Sequence, residues 1–130
     1  MGPPGARPVV LDAGALVAFE RNDRRVRRLV ELAVEQDCKL HVPAAVIGQV
    51  WRDGARQARL ARLVGCGVLD VAVLDLGEAQ AAGVLCGLAS TADVVDASVV
   101  VLARRYGATV VTSDPSDMVR LDPKVSVVAC

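Results

Sequence analysis

Ala92-Asp-Val-Val-Asp-Ala-Ser98 leads through Val99-Val-Val-Leu-Ala103 and Gly107 to Val110-Val-Thr-Ser-Asp-Pro-Ser-Asp117, and this stretch decides the fold. Two aspartates open an apolar helix pattern that Gly107 is placed to cap. A β-branched run then reads as a strand, and two more aspartates follow it. A helix beginning at acids and a strand ending at acids bring Asp93, Asp96, Asp114 and Asp117 toward one edge of a sheet.

Outward from that stretch, strand and helix patterns alternate. Pro8-Val-Val-Leu-Asp12 reads as a buried strand, followed by a short helix over Ala15–Glu20. Asn22-Asp23 caps a second helix, with Val26, Leu29, Val30, Ala33 and Val34 at helical spacing. Arg24, Arg25, Arg27 and Arg28 sit mostly off that stripe, as a solvated outer face does. Lys39–Val42 reads as a second strand. Pro43 then starts a helix that carries Trp51 and runs past Gly54 through Arg56 to Val64. Leu69–Leu74 is a third strand and Gly77–Ala89 a small-residue helix. Gly83 and Gly87, four apart, predict close packing there. Val125–Val128 is a fifth strand. Alternation of this kind predicts an α/β fold with a mostly parallel sheet covered by helices on both faces.

The chain is 130 residues long, enough for one domain with a real core. Residues 1–7 read as a disordered lead and 8–130 as the domain. Fifteen basic and fifteen acidic residues cancel, so no overall field favours a polyanion. With Phe19, Trp51 and Tyr106 as the only aromatics, stacking platforms for single-stranded bases are not the expected basis of any nucleic-acid binding. Cys38, Cys66, Cys86 and Cys130 are scattered. With one histidine, His41, they do not resemble a zinc site and read as free thiols, mostly buried, in a reducing cytoplasmic setting. No apolar run reaches the roughly 18 residues of a membrane span.

In a parallel sheet, ligands bind beyond the carboxyl ends of the strands, where the strand order reverses. Asp12 ends strand one and Asp114 follows strand four, so the two converge if those strands are neighbours. Clustered carboxylates repel and raise one another's pKa unless a cation is present. A hard divalent ion such as Mg²⁺ relieves this, and phosphodiester hydrolysis is its natural chemistry. Helix capping alone accounts for Asp93, Asp114 and Asp117 taken singly. Asp96, which enters an apolar helix, and Asp12, which ends a buried strand, are less easily explained that way.

Val9-Val-Leu-Asp12-Ala-Gly-Ala-Leu16, Asp96-Ala-Ser-Val-Val-Val-Leu-Ala103 and Val110-Val-Thr-Ser-Asp114, in that order and at those separations, resemble PIN-domain proteins. The resemblance is strongest to the VapC-like ribonuclease toxins of VapBC-type toxin–antitoxin systems and runs from about Val9 to Val128. It implies a five-stranded PIN-like domain, a Mg²⁺- or Mn²⁺-dependent endoribonuclease acting on RNA, a homodimer and a cognate VapB-like antitoxin. It assigns Asp12, Asp96 and Asp114 as catalytic, metal-coordinating acids, with Asp117 as a further metal ligand and Asp93 as an extra acid upstream. The position of the family's usual glutamate is held by Gln49, with Asp53 and Glu20 as candidate replacements. Arg52, Arg56, Arg59 and Arg62, spaced as one helical stripe, are the expected substrate-binding cations.

Two other readings stand beside this one. One is a catalytically degenerate PIN domain that binds RNA or an antitoxin. The other is a different phosphoryl-handling α/β fold. Against the last, Gly14 stands where an aspartyl phosphatase needs a second acid, and the only lysines are Lys39 and Lys124.

Overall fold

The computed structural model describes residues 7–130; the expected lead, apart from Arg7, lies outside the described residues. The elements are β1 (Val9–Leu11), α1 (Ala13–Glu20), α2 (Arg24–Glu35), β2 (Leu40–Pro43), α3 (Ala44–Val50) and α4 (Ala58–Gly65), then β3 (Leu69–Ala72), α5 (Leu76–Ala89), α6 (Val94–Tyr106), β4 (Thr109–Thr112), α7 (Pro115–Leu121) and β5 (Ser126–Ala129). All strands are parallel, in the order β3-β2-β1-β4-β5.

That order fixes the layers. The connections from β1 to β2 and β2 to β3 run one way across the sheet; those from β3 to β4 and β4 to β5 run the other. Right-handed crossovers therefore put α1–α4 on one face and α5–α7 on the opposite face. Successive strand residues point to opposite faces, and Val10, Leu11, Val110 and Val111 are all buried, so both faces are covered. The reversal point lies between β1 and β4, in register at Val9↔Thr109 through Leu11↔Val111. Strands one and four are thus neighbours, as the acidic pattern requires.

The central stretch folds as its sequence predicts. Asp93 caps α6, and Gly107 ends it in the left-handed region at φ 61. The helix interior from Ala97 to Val100, with Leu102 and Ala103, is buried against β1, β2 and β4. Burial outweighs the modest helix propensity of its valines, because each fully buried side chain of this kind contributes about 1.5–3 kcal/mol.

The helix expected from Pro43 to Val64 is broken. Trp51 turns extended (φ −72, ψ 128), and α4 starts only at Ala58. The Gln57 side chain explains the break. Its Oε1 accepts from the Arg52 and Asp53 amides at 2.8 and 3.0 Å, and its Nε2 donates to the Val50 carbonyl at 2.9 Å. One amide therefore satisfies three backbone groups that a continuous helix would have used. Across the turn, a Cβ at Gly54 would lie 3.1 Å from the Trp51 ring. The single arginine stripe consequently does not exist. Arg52 and Arg56 lie in the turn, and only Arg59 and Arg62 lie on α4.

Gly83 and Gly87 are also corrected, since a Cβ at either would meet nothing within 4 Å. All four cysteines are free, but only Cys86 is buried. Cys38 and Cys130 are half-buried and Cys66 is exposed. Among the described residues no single helix is long and apolar enough to cross a membrane. α5 and α6 pass that test only as a pair bent by 111°.

Candidate active site

Five aspartates from three separate segments meet beyond the carboxyl ends of β1 and β4. Asp12 follows β1 directly, its amide donating to the Val111 carbonyl of β4 at 3.2 Å. It is 4% exposed, and its Oδ1 accepts from the Ala15 amide at 2.9 Å, so it caps α1 as well as ending the strand. Burial raises its pKa. The Thr112 hydroxyl and the Ala15 and Gly14 amides pull it back, and Asp114 pushes it up again.

Asp114 takes the N-cap position of α7 but makes no side-chain capping bond. Its amide donates to Thr112 Oγ1 at 2.9 Å, and its Oδ1 accepts from the Ser116 hydroxyl at 3.2 Å. Capping therefore does not account for this carboxylate. Asp117, in the first turn of α7, has its pKa raised, first by a carboxyl–carboxyl hydrogen bond with Asp114 and then by that group's charge.

On α6, Asp93 is a true cap, its Oδ1 accepting from the Asp96 amide at 2.9 Å. Asp96 carries the strongest perturbation. Desolvation first, then the charge and hydrogen bond of Asp93, then Asp117 and Asp12, push it up to about 7. Asp93, Asp96 and Asp117 line a cavity of about 130 Å³ together with Thr91, Arg120 and Leu121.

The acids form a ring of mutual influence: Asp12 with Asp114, Asp114 with Asp117, Asp117 with Asp93 and Asp96, and Asp96 with Asp12. Among the described residues no three His, Cys, Asp or Glu side chains stand close enough to form a ready metal cage. The donor chemistry nevertheless fits a hard cation: oxygen ligands alone, and carboxyls whose pKa values are raised by burial and by one another. Mg²⁺ characteristically takes one or two carboxylates and completes its shell with water and phosphate, so an open arrangement suits it.

Gln49 is exposed near the end of α3 and, like Asp12 and Asp114, does not line the cavity. The remaining expected site residues are engaged elsewhere. Asp53 accepts from the Ala55 amide at 3.0 Å inside the turn. Glu20 Oε2 accepts from the Leu60 amide at 2.7 Å, so that side chain caps α4. Arg52 Nη1 donates to the carbonyls of Gly48 (3.3 Å) and Trp51 (2.7 Å) at the end of α3. Arg59 and Arg62, with Arg27, flank a separate groove of about 300 Å³ lined by Phe19, Val30 and Leu63. Phe19, which lines this groove, lies seven residues along α1 from Asp12, about 10 Å of helix rise. His41 stacks on Tyr106 (centroids 4.0 Å) and approaches Asp70 at 3.3 Å, away from the acids.

Three contributors were not singled out from the sequence: Gly14, Thr112 and Arg120. Thr112 was detectable as a hydroxyl at a strand end two residues before an acid, and Arg120 as a cation three residues after Asp117. The role of Gly14 rests on a contact with Ser113 that sequence spacing does not reveal.

A family model described as the PIN domain matches residues 9–122. No curated protein matches the chain. Among solved structures, the fold is similar to VapBC2 from Rickettsia felis bound to a DNA fragment from their promoter, with TM-score 0.70 at 13% identity, covering 94% of this chain and 98% of that one. It is similar to DNA-bound VapBC from Salmonella typhimurium, with TM-score 0.70 at 16% identity, covering 95% and 98%. It is also similar to VapC20 of Mycobacterium tuberculosis, a sarcin-ricin loop cleaving toxin, with TM-score 0.56 at 16% identity, covering 78% and 86%. At these identities the likeness is one of fold.

Proposed function

The chain belongs to the PIN-domain family, and on that footing we propose that it is a metal-dependent endoribonuclease, the toxin of a type II toxin–antitoxin pair. One observation carries the proposal: Asp96, raised to about 7 amid carboxylates from three segments at the sheet's reversal point. A hard cation would offset the mutual repulsion of such a group. Asp12, Asp96 and Asp114 would hold Mg²⁺ or Mn²⁺, with Asp117 completing the set and Asp93 chiefly capping α6. When bound, the ion would lower the pKa of a water and offset charge on a phosphate oxygen. Asp12 is the rigid member, fixed by the Ala15 amide; a bound cation would favour the ionised forms of Asp96 and Asp117, whose pKa values are raised. Hydrolysis then breaks one P–O bond of the RNA backbone and adds water across it.

The groove between α2 and α4 supports the antitoxin reading. Its apolar floor of Phe19, Val30 and Leu63, flanked by Arg27, Arg59 and Arg62, suits an amphipathic acidic helix. On this view Arg59 serves the partner more than the RNA, whereas Arg56, exposed in the turn, is left for the strand. A homodimer is supported by α5, where Leu76, Val84 and Leu88 are 74%, 64% and 80% exposed beside the open Gly83 and Gly87. Leu88→Glu should convert a particle of twice 13.6 kDa into one of 13.6 kDa, as read by light scattering after size exclusion. An unchanged mass would remove α5 from the interface. A cytoplasmic setting accompanies this proposal.

Gln49 favours the second reading, a degenerate module that binds RNA or an antitoxin without cutting, because an amide supplies no charge to the ion. Gln49→Glu decides between them. It should tighten Mn²⁺ binding by about tenfold, the worth of one added charge-assisted ligand, and raise the rate of an already measurable cleavage. If cleavage appears only in the variant, the natural chain is the binding module.

A further inference from the structure

Building on the nuclease reading, we infer that Arg120 is the phosphate-binding cation of the site, holding the RNA backbone beside the metal position. Among the described residues Arg120 is the only cation lining the acidic cavity. It stands three residues after Asp117 on α7, on the same helical face.

Its setting differs from that of the other arginines at this end of the molecule. Arg104 Nε donates to Asp122 Oδ2 at 2.8 Å, and Arg105 bridges Glu78 at 2.9 Å. Among the described residues Arg120 makes no ion pair within 4.0 Å. The backbone that carries it is nevertheless fixed. Met118 and Leu121 are buried, and Asp122, which ends α7, is tied to α6 through Arg104. A free guanidinium is thus held on a rigid helix at the rim of a cavity whose other charges are all negative.

For holding a divalent ion this placement is counterproductive, because a nearby positive charge repels the ion. It becomes useful once a phosphodiester occupies the cavity beside the ion, since guanidinium geometry matches two phosphate oxygens. The two roles predict opposite responses to loss of the charge, and that opposition is the test.

Mn²⁺ affinity is measured by calorimetry on the intact protein. Affinity for a fluorescent single-stranded RNA is measured by anisotropy in EDTA, where nothing is cut. Arg120→Ala should bind Mn²⁺ about two- to fivefold more tightly and RNA about five- to tenfold more weakly. The slope of log affinity against log salt should fall by about 0.7, one phosphate contact on a single strand. Arg120→Lys should keep the parent's Mn²⁺ affinity and recover part of the RNA affinity. Tighter Mn²⁺ with unchanged RNA binding would overturn the inference and leave Arg120 as a mere counter-charge to Asp117. Unchanged affinity for both would overturn it equally. Failure of the nuclease reading looks different: the parent then shows no Mn²⁺ affinity that Asp96→Asn removes.

Discussion

Asp96→Asn should reduce metal-dependent RNA cleavage by about a hundredfold or more, while making the metal-free protein more stable at pH 8. Both effects follow from one side chain held at about 7 by burial and by Asp93, Asp117 and Asp12. The folded-state pKa is raised, so this group's contribution is most favourable below the ordinary carboxyl value near 3.8 and is lost as pH rises through about 7. Asparagine carries no charge and avoids the loss. After allowance for solvent at a half-buried position, the gain at pH 8 should be about 2 kcal/mol, shrinking toward pH 4. Thermal melts at pH 4, 6 and 8 read it directly. Mn²⁺ should raise the melting temperature of the parent at pH 8 and do much less for the variant. A variant less stable than the parent at pH 8 would mean that Asp96 is already compensated in the folded protein.

Gly14→Ala should be the most damaging glycine-to-alanine substitution among the described residues. A Cβ there would lie 1.8 Å from Ser113 Oγ, 2.6 Å from Ser113 Cβ and 3.1 Å from its backbone nitrogen. The hydroxyl can swing away, but the Cβ and backbone cannot, so the start of α1 and the turn after β4 must separate. Overpacking of this kind costs about 2–4 kcal/mol. These segments adjoin Asp12 and Asp114, so Mn²⁺ affinity should fall together with the melting temperature. Gly48→Ala is the control. It stands exposed on α3 with nothing within 4 Å of a Cβ, and should stabilise by about 0.5–1 kcal/mol. Equal melts for the two variants would refute the close approach.

The positions of the strands and most helices were legible because burial on both sheet faces leaves continuous apolar runs, and because Gly107 and Asp23 mark helix ends by local chemistry. That Asp12, Asp96 and Asp114 gather at one end of the sheet was legible from their positions at or near element ends. The break between α3 and α4 was not. It depends on Gln57 reaching back to Val50, Arg52 and Asp53, and an apolar periodicity does not register such a side chain. The arginine stripe failed with it. Gly83 and Gly87 misled because four-residue spacing of glycines describes an open helix face as well as a packed one. Asp12 proved to be cap and strand end at once, a double role that the Ala15 amide reveals only in three dimensions.

The central claim, that these aspartates form a metal-dependent nuclease site, is tested most directly by incubating the purified protein with single-stranded RNA in Mn²⁺, in EDTA and as Asp96→Asn. Cleavage in Mn²⁺ alone, absent in EDTA and from the variant, is the expected result. Cleavage that survives both EDTA and Asp96→Asn would contradict it.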